Sequence, residues 1–372
     1  FSSHHNIFLI DSLSSLPAIS STGADAKTVF VSQHDFSKAF PKSSHPWILR
    51  SMTAAGVQAR WTEWHLRNFK KSKVRISSGA TLMATVNRAG GLPEGSALST
   101  PLFNAQTNPL HVVLHRAATE LDIGVGVRFG NQIIASTGTV DDTNTLATSS
   151  KGVQACTDIV RVFLLLSGQS ENTSKKKFRA LHSSTPELLI DGVTIPKKKL
   201  LKPAPLLGSH IGHPKCTLDA RISSLKRKLT KLQQEAGANG LTFQQRAWLY
   251  SSKAMGLANF YGQFIPMDTE IINWLNKCQL DLLQTPQFTP KSHMRLHSLH
   301  ILGLTPLVDA MVSQQAVLAV ELANRKDVCG KVTRHLLDSK LHQSSSKSTF
   351  FQLLSSLSKH GFTLRRNEYS AF

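Results

Sequence analysis

The sequence predicts an α+β fold: an antiparallel sheet covered on one face by helices, followed by a helical C-terminal part. Three observations lead there. Short β-prone runs lie at 27–32 and 125–148, with turn residues between them. Amphipathic helical patterns alternate with those runs. From Ala220 onward the pattern turns helical, broken by loops.

Composition narrows the function. The 372 residues suffice for two or three domains, and 41% are hydrophobic, as in a globular chain. Lys and Arg number 43 against 23 Asp and Glu, a formal net charge of +20. Such an excess suits a polyanionic partner, nucleic acid first. Apolar runs such as Val162 to Leu166 are far too short to span a bilayer. Cys156, Cys216, Cys278 and Cys329 lie far apart with no CxxC pair, which favours a reducing compartment. The first residue is Phe1, so the natural N-terminus is expected upstream.

The elements follow in order. A short helix is expected over Asn6–Leu13, then loop through Ser20–Ala24. Lys27–Ser32 is β-branched and aromatic, a strand that leads to Asp35. Pro46–Ala55 reads as helix, with Pro46 in its first turn and Gly56 as its stop. A second helix covers Ala59–Phe69, where Trp61 and Trp64 could stack bases but are expected to be buried in its core. Lys70, Lys71, Lys73 and Arg75 alternate partly with Val74 and Ile76. That is either a basic strand touching phosphates or an edge strand guarded by Lys. Gly90-Gly91-Leu92-Pro93-Glu94-Gly95 breaks the chain before a long helix, Ser99–Glu120, either a turn-into-helix arrangement that lets a nucleotide approach backbone N–H groups or simply a loop and a helix cap.

Gly130-Asn131 joins Val125–Phe129 to Gln132–Ala135 as a hairpin. A second hairpin turns at Asp141-Asp142. Ser150 can cap a helix to Leu166, with Gly168 as its stop. Basic runs follow at Lys175–Arg179 and Lys197–Lys202. Helices are expected from Ala220, with Ile222, Leu225, Leu229 and Leu232 on one face and Arg221, Lys226, Arg227, Lys228 and Lys231 on the charged remainder, then at Phe243–Ala258, Thr269–Leu283 and Pro306–Asn324. Pro286 and Pro290 mark a linker, and 343–348 a Ser/Lys-rich loop. His210-x2-His213-x2-Cys216 lacks a fourth ligand and reads as loop, and His293, His297 and His300 as a solvated helix face.

Asp141-Asp142 by itself reads first as an ordinary solvated turn. In a ferredoxin-like arrangement, however, a strand ending at Asp35 can lie beside that hairpin. Three carboxylates on one sheet edge can hold two Mg²⁺ ions roughly 4 Å apart. Oxygen-only ligands favour Mg²⁺ or Mn²⁺ over zinc.

Four stretches in this order, Asp35-Phe-Ser-Lys-Ala-Phe40, Gly91-Leu-Pro-Glu-Gly-Ser-Ala-Leu-Ser-Thr-Pro-Leu-Phe-Asn104, Val140-Asp-Asp-Thr143 and Gly168–Lys175, followed by Leu207-Gly208, resemble the reverse transcriptase domain of non-LTR (LINE-type) retrotransposons. The resemblance covers about residues 5–285, and through Leu302-Gly303-Leu304 reaches about 325. It implies a right-hand polymerase: residual fingers at 1–26, palm at 27–215, helical thumb at 216–285 and a C-terminal helical extension at 286–372. It implies RNA-directed DNA synthesis, with two Mg²⁺ (or Mn²⁺) ions, an RNA template, a DNA primer or RNA–DNA hybrid, and dNTP. Asp35, Asp141 and Asp142 would be the metal-binding catalytic carboxylates, with the Phe36 carbonyl as a further metal ligand. Phe40 would exclude a ribose 2′-hydroxyl, and Pro93, Glu94 and Gly95 would line the nucleotide pocket. Lys175 would serve the pyrophosphate, with Lys176 and Lys177 as competitors. Leu207 and Gly208 would form the primer grip. Lys226, Arg227, Lys228 and Lys231 would track the nucleic-acid backbone.

The chain departs from the family at Pro41, where Asp is usual, at Glu94, where Gln is usual, and at Thr139-Val140, where an aromatic residue and Ala are usual. These departures keep a second reading open: a non-catalytic remnant that still binds nucleic acid.

Overall fold

A computed structural model describes residues 3–13, 28–87, 90–129, 132–182, 186–283, 303–338 and 349–360. The Gly130-Asn131 turn, the Ser20–Ala24 loop, the Pro286 and Pro290 linker, His293, His297, His300 and the 343–348 stretch lie outside them. The chain divides into two units: Phe1–Ser2 with Asp25–Leu200, and Ser3–Ala24 with Leu201–Phe372. The fold class is the one expected, a mixture of helices and antiparallel sheet. Among the described residues no helix is long and apolar enough to cross a membrane.

The first unit is built on a four-stranded sheet of the described residues. β1 (Phe30–Asp35) lies between β7 (Asp142–Ala147) and β8 (Lys177–Ala180), and β6 (Ser136–Thr139) pairs with the far side of β7. Every pairing is antiparallel. The β1 strand ends at Asp35 as expected, because its cross-strand partners extend to Asp142, and it starts at Phe30 rather than Lys27. Pairing rather than local propensity sets that end.

Helices cover the sheet. α2 (His45–Ala54) is capped by Ser44, whose hydroxyl accepts from the Trp47 N–H, and Pro46 sits in its first turn as expected. α3 is Ala59–Lys71, and β2 (Lys73–Ser78) pairs with β3 (Thr81–Asn87) as a separate hairpin. The long helix α4 spans Ser99–Glu120, as its periodicity predicts, and buries Leu102, Phe103, Leu110 and Leu114. Hairpin β4–β5 (Val127–Phe129 and Gln132–Ile134) leads into β6. α5 (Ser150–Ser167) starts one residue earlier than expected in its capping: Ser149, not Ser150, accepts the Gly152 N–H at 2.9 Å. Gly152 is required there, since a Cβ would sit 2.1 Å from the Gly124 carbonyl oxygen. Gly168 ends the helix in the left-handed region.

A hairpin that the sequence reading passed over, β9 (Leu188–Ile190) and β10 (Val193–Ile195), turns at Asp191-Gly192, both at positive φ. Asp-Gly between the β-prone triplets Leu188–Ile190 and Val193–Ile195 is a hairpin-turn signal. The short helix α6 (Lys197–Leu200) closes the unit.

The second unit is mostly helical. Hairpin β11–β12 (Ala204–Leu206 and Ser209–Ile211) turns at Leu207-Gly208. α7 runs Pro214–Ala238, beginning before the expected Ala220 because Pro214 supplies a first-turn start. α8 (Phe243–Leu249), a π-helical turn (Tyr250–Ala254) and α9 (Met255–Gly262) occupy the expected helix at 243–258. α10 is Thr269–Leu283, α11 Leu307–Asn324, α12 Val328–Asp338 and α13 Thr349–Lys359. Helices α7 to α11 and α13 share a core that includes Leu229, Tyr250, Tyr261, Leu275, Leu282 and Met311, and the N-terminal helix α1 (Ser3–Leu13) packs on α12, α13 and β12.

Two sequence expectations are corrected. Arg221 was expected on the charged face of α7, yet it is fully buried. Its guanidinium lies 2.7 Å from Asp11 as an ion pair, donates to Ser209 Oγ and the His210 carbonyl, and stacks over Phe264. Trp61 and Trp64 were expected in the core but are 43% and 61% exposed; the buried positions of α3 are Thr62 and Leu66.

Candidate active site

The register of β1 against β7 sets Asp35 directly opposite Asp142. Opposed Cα atoms in an antiparallel pair lie about 5 Å apart. β6 and β7 close on each other through Thr139 opposite Asp142, so the connecting turn is Val140-Asp141. Asp141 therefore sits at the tip and Asp142 at the first paired position. Val140 adopts φ 53°, a left-handed conformation rare for a β-branched residue. Strain of this kind is kept only where the surroundings enforce it.

The three carboxylates feel one another. Asp142 is pushed up to about 6, by burial first and then by the charges of Asp141 and Asp35, with Lys175 opposing. Lys175 Nζ lies 3.2 Å from Asp35. Its position follows from backbone pairing: the Asn172 N–H donates to the Asp35 carbonyl at 2.8 Å and the Ser37 N–H to the Ser170 carbonyl at 2.7 Å. Lys176 is engaged instead with Glu171 at 3.3 Å, and Lys177 opens β8.

Behind the carboxylates lies a polar layer that sequence reasoning missed. The buried His34 donates from Nδ1 to Glu171 at 2.6 Å, and its Nε2 lies 3.4 Å from Thr145 Oγ1. Burial pushes the His34 imidazole below its usual range, with Glu171 partly offsetting it. Burial would raise Glu171, but His34 and Lys176 hold it lowered overall. On the β6 side, His111 Nδ1 and Ser136 Oγ are hydrogen-bonded at 2.8 Å. Burial pushes His111 down to about 4, so it is neutral. His34 adjoins Asp35 and Glu171 lies within the Gly168–Lys175 stretch, but nothing in the local pattern distinguishes these residues from ordinary polar positions.

The Gly-rich loop docks on the turn that follows Asp35. The Leu92 N–H donates to the Phe40 carbonyl at 2.8 Å, and His45 Nε2 to the Gly91 carbonyl at 2.8 Å. A Cβ on Gly91 would lie 2.3 Å from the Pro41 carbonyl oxygen. Only glycine permits this approach. Pro93 accepts from Ser99 Oγ at the start of α4, while Glu94 and Gly95 are exposed. The Phe40 ring packs on Phe103 at 5.2 Å, and the Phe36 ring faces Phe163 at 6.0 Å.

The remaining candidates belong to the second unit. Leu207 and Gly208 form the β11–β12 turn at positive φ, which for Leu207 is again unusual. On α7, Lys226 lies 3.6 Å from Glu270 and over the Trp274 ring, Lys228 lies over Tyr261, and Lys231 pairs with Glu235. Arg227 is exposed.

The donor set suits a hard divalent cation: carboxylates only, with Asp142 destabilised in its charged form by burial and then by its neighbours. Among the described residues, however, no three His, Cys, Asp or Glu side chains are drawn closely enough around one point to hold a metal ion.

No family model matches the chain, and no curated protein does. Solved structures are similar at a distance. Telomerase from Candida tropicalis in complex with a TWJ fragment of telomeric RNA is 10% identical, with a TM-score of 0.39, over 88% of this chain and 51% of that one. The corresponding Candida albicans complex is 10% identical, with a TM-score of 0.36, over 91% and 55%. Apo telomerase from Candida tropicalis is 11% identical, with a TM-score of 0.41, over 95% and 56%. This chain spans about half the length of those telomerase chains, and at these scores the likeness assigns neither an activity nor a residue correspondence.

Proposed function

We propose that the chain is the reverse transcriptase part of a non-LTR retrotransposon, adding dNTP to a primer 3′-hydroxyl on an RNA template. The observation that carries the proposal is Asp35 opposite Asp142, with Asp141 in the adjoining turn and Lys175 on Asp35. The order of sequence stretches supports it independently.

In this reading Asp35, Asp141 and Asp142 would hold two Mg²⁺ or Mn²⁺ ions, with the Phe36 carbonyl. When bound, such ions supply activation of the hydroxyl nucleophile and neutralisation of charge on the leaving pyrophosphate. The protein's own residues do the rest. The Gly91–Gly95 loop, anchored on Phe40-Pro41, would bear Pro93 and Glu94 against the nucleotide. Phe40, braced by Phe103, would exclude a 2′-hydroxyl. Lys175 would hand a proton to the pyrophosphate. Palm at 27–215, thumb at 216–285 and extension at 286–372 remain the proposed division, with Leu207-Gly208 gripping the primer and Lys226, Arg227, Lys228 and Lys231 on the backbone phosphates.

The test is primer extension on a primed RNA template with dNTP and Mg²⁺, comparing the chain with Asp141→Asn. Extension lost in the variant supports the assignment; extension that survives removes Asp141 from it. The strained Val140 and the exposed Glu94 favour a second reading, a non-catalytic nucleic-acid binder. RNA–DNA duplex binding that weakens steeply with salt, with no extension, would select it.

A further inference from the structure

Residues 59–87 of the first unit lie outside the candidate active site. α3 buries Thr62 and Leu66 and turns its other faces outward. Arg60, Trp64, Arg67 and Lys71 follow the spacing that lines one helix face, with Trp61 and His65 alongside. The exposed indoles each meet His65 edge-on, with ring centroids 4.2 Å and 4.6 Å apart. After Ser72 the chain enters β2. β2 and β3 pair only with each other among the described residues, and all their residues are exposed. The register gives the hairpin two faces. Lys73 opposes Asn87 and Arg75 opposes Thr85 on one; Val74 opposes Val86 and Ile76 opposes Ala84 on the other.

Charge decides between occupants. The segment holds six Lys and Arg against one acid, Glu63. Glu63 is itself 3.4 Å from Arg67. Arg60, Lys70, Lys71, Lys73 and Arg75 have no carboxylate partner among the described residues. A neutral protein or lipid-chain occupant of the apolar face would leave those cations uncompensated. A polyanion neutralises them and releases counterions. Two exposed tryptophans interleaved with cations offer stacking platforms, and only unpaired bases present a free face to them.

We infer that α3 and the β2–β3 hairpin form a docking surface for single-stranded nucleic acid, separate from the carboxylate site. The surface does not depend on the polymerase reading, since binding there requires no chemistry.

The test is the affinity of the full chain for a labelled oligouridine of about 16 nucleotides, without dNTP, over a salt series. Trp61→Ala with Trp64→Ala should weaken binding by about tenfold or more and leave the salt slope unchanged. Trp61→Phe with Trp64→Phe should restore most of the loss. Lys71→Gln, Lys73→Gln and Arg75→Gln together should reduce the salt slope by about two. All these positions are exposed, and thermal melts verify that the variants fold. Unchanged affinity in both the alanine and the glutamine variants overturns the inference. So does an effect of charge alone, or a duplex of equal length that binds as tightly and responds equally to Trp loss. Weakened oligouridine binding in a chain that never extends a primer leaves this surface standing without the polymerase reading. Extension with wild-type oligouridine binding in every arm variant does the reverse.

Discussion

Lys175 Nζ lies 3.2 Å from both carboxylate oxygens of Asp35, 140 residues along the chain. The lysine is 62% exposed, so the pair contributes little stability. Its geometry comes from the 170–172 backbone pairing around Asp35, which fixes the lysine whether or not the ion pair forms.

We therefore expect Lys175→Ala to change unfolding free energy by less than about 1 kcal/mol while slowing primer extension about a hundredfold or more. Denaturant unfolding and single-turnover extension measure the two effects separately. Parental extension by this variant would take Lys175 out of the chemistry.

Asp142 gives a pH dependence with a defined sign. Its ordinary value is 3.8 and the folded value about 6, so the folded protein binds more protons between them. Stability therefore falls as pH rises from about 4 to 6, by at most about 3 kcal/mol, less solvent screening. We expect Asp142→Asn to remove this slope and to be the more stable form above pH 6. Urea unfolding at several pH values, without divalent metal, reads it. Parallel slopes in the two proteins would contradict the crowding of the three carboxylates.

Gly91 and Gly95 share the left-handed backbone but not the surroundings. Gly91 meets the Pro41 backbone, whereas Gly95 has nothing within 4 Å. Gly95→Ala should cost about 1 kcal/mol from backbone conformation alone. Gly91→Ala should cost about 2 kcal/mol or more, because backbone must shift as well. Thermal denaturation of the pair tests the loop docking; equal losses would argue against it.

Arg221 anchors α1 to α7 through Asp11 in a fully buried site. Removing one partner leaves the other charge buried, so Arg221→Met should destabilise by about 3–5 kcal/mol. Arg221→Met with Asp11→Leu should recover part of that loss, as measured by denaturant unfolding. A single substitution costing under about 1 kcal/mol would mean the site is hydrated.

Local pattern made much of this protein legible. The periodicity of Ser99–Glu120 and Thr269–Leu283 gave those helices to the residue, because buried stripes and end residues are encoded within the segment itself. The acidic hairpin, whose turn lies at Val140-Asp141 rather than Asp141-Asp142, and the glycines of 90–95 were visible for the same reason. What tertiary structure decided is pairing between distant segments. The opposition of Asp35 and Asp142, the contact of Lys175 with Asp35, and the docking of Gly91 on Pro41 each join segments that no local period relates. Burial was likewise a tertiary outcome. Arg221 went inside because Asp11 meets it, and Trp61 and Trp64 stayed outside because Thr62 and Leu66 face the core. Composition and period set which residues can lie on one face, but only the neighbouring segment decides which face is covered.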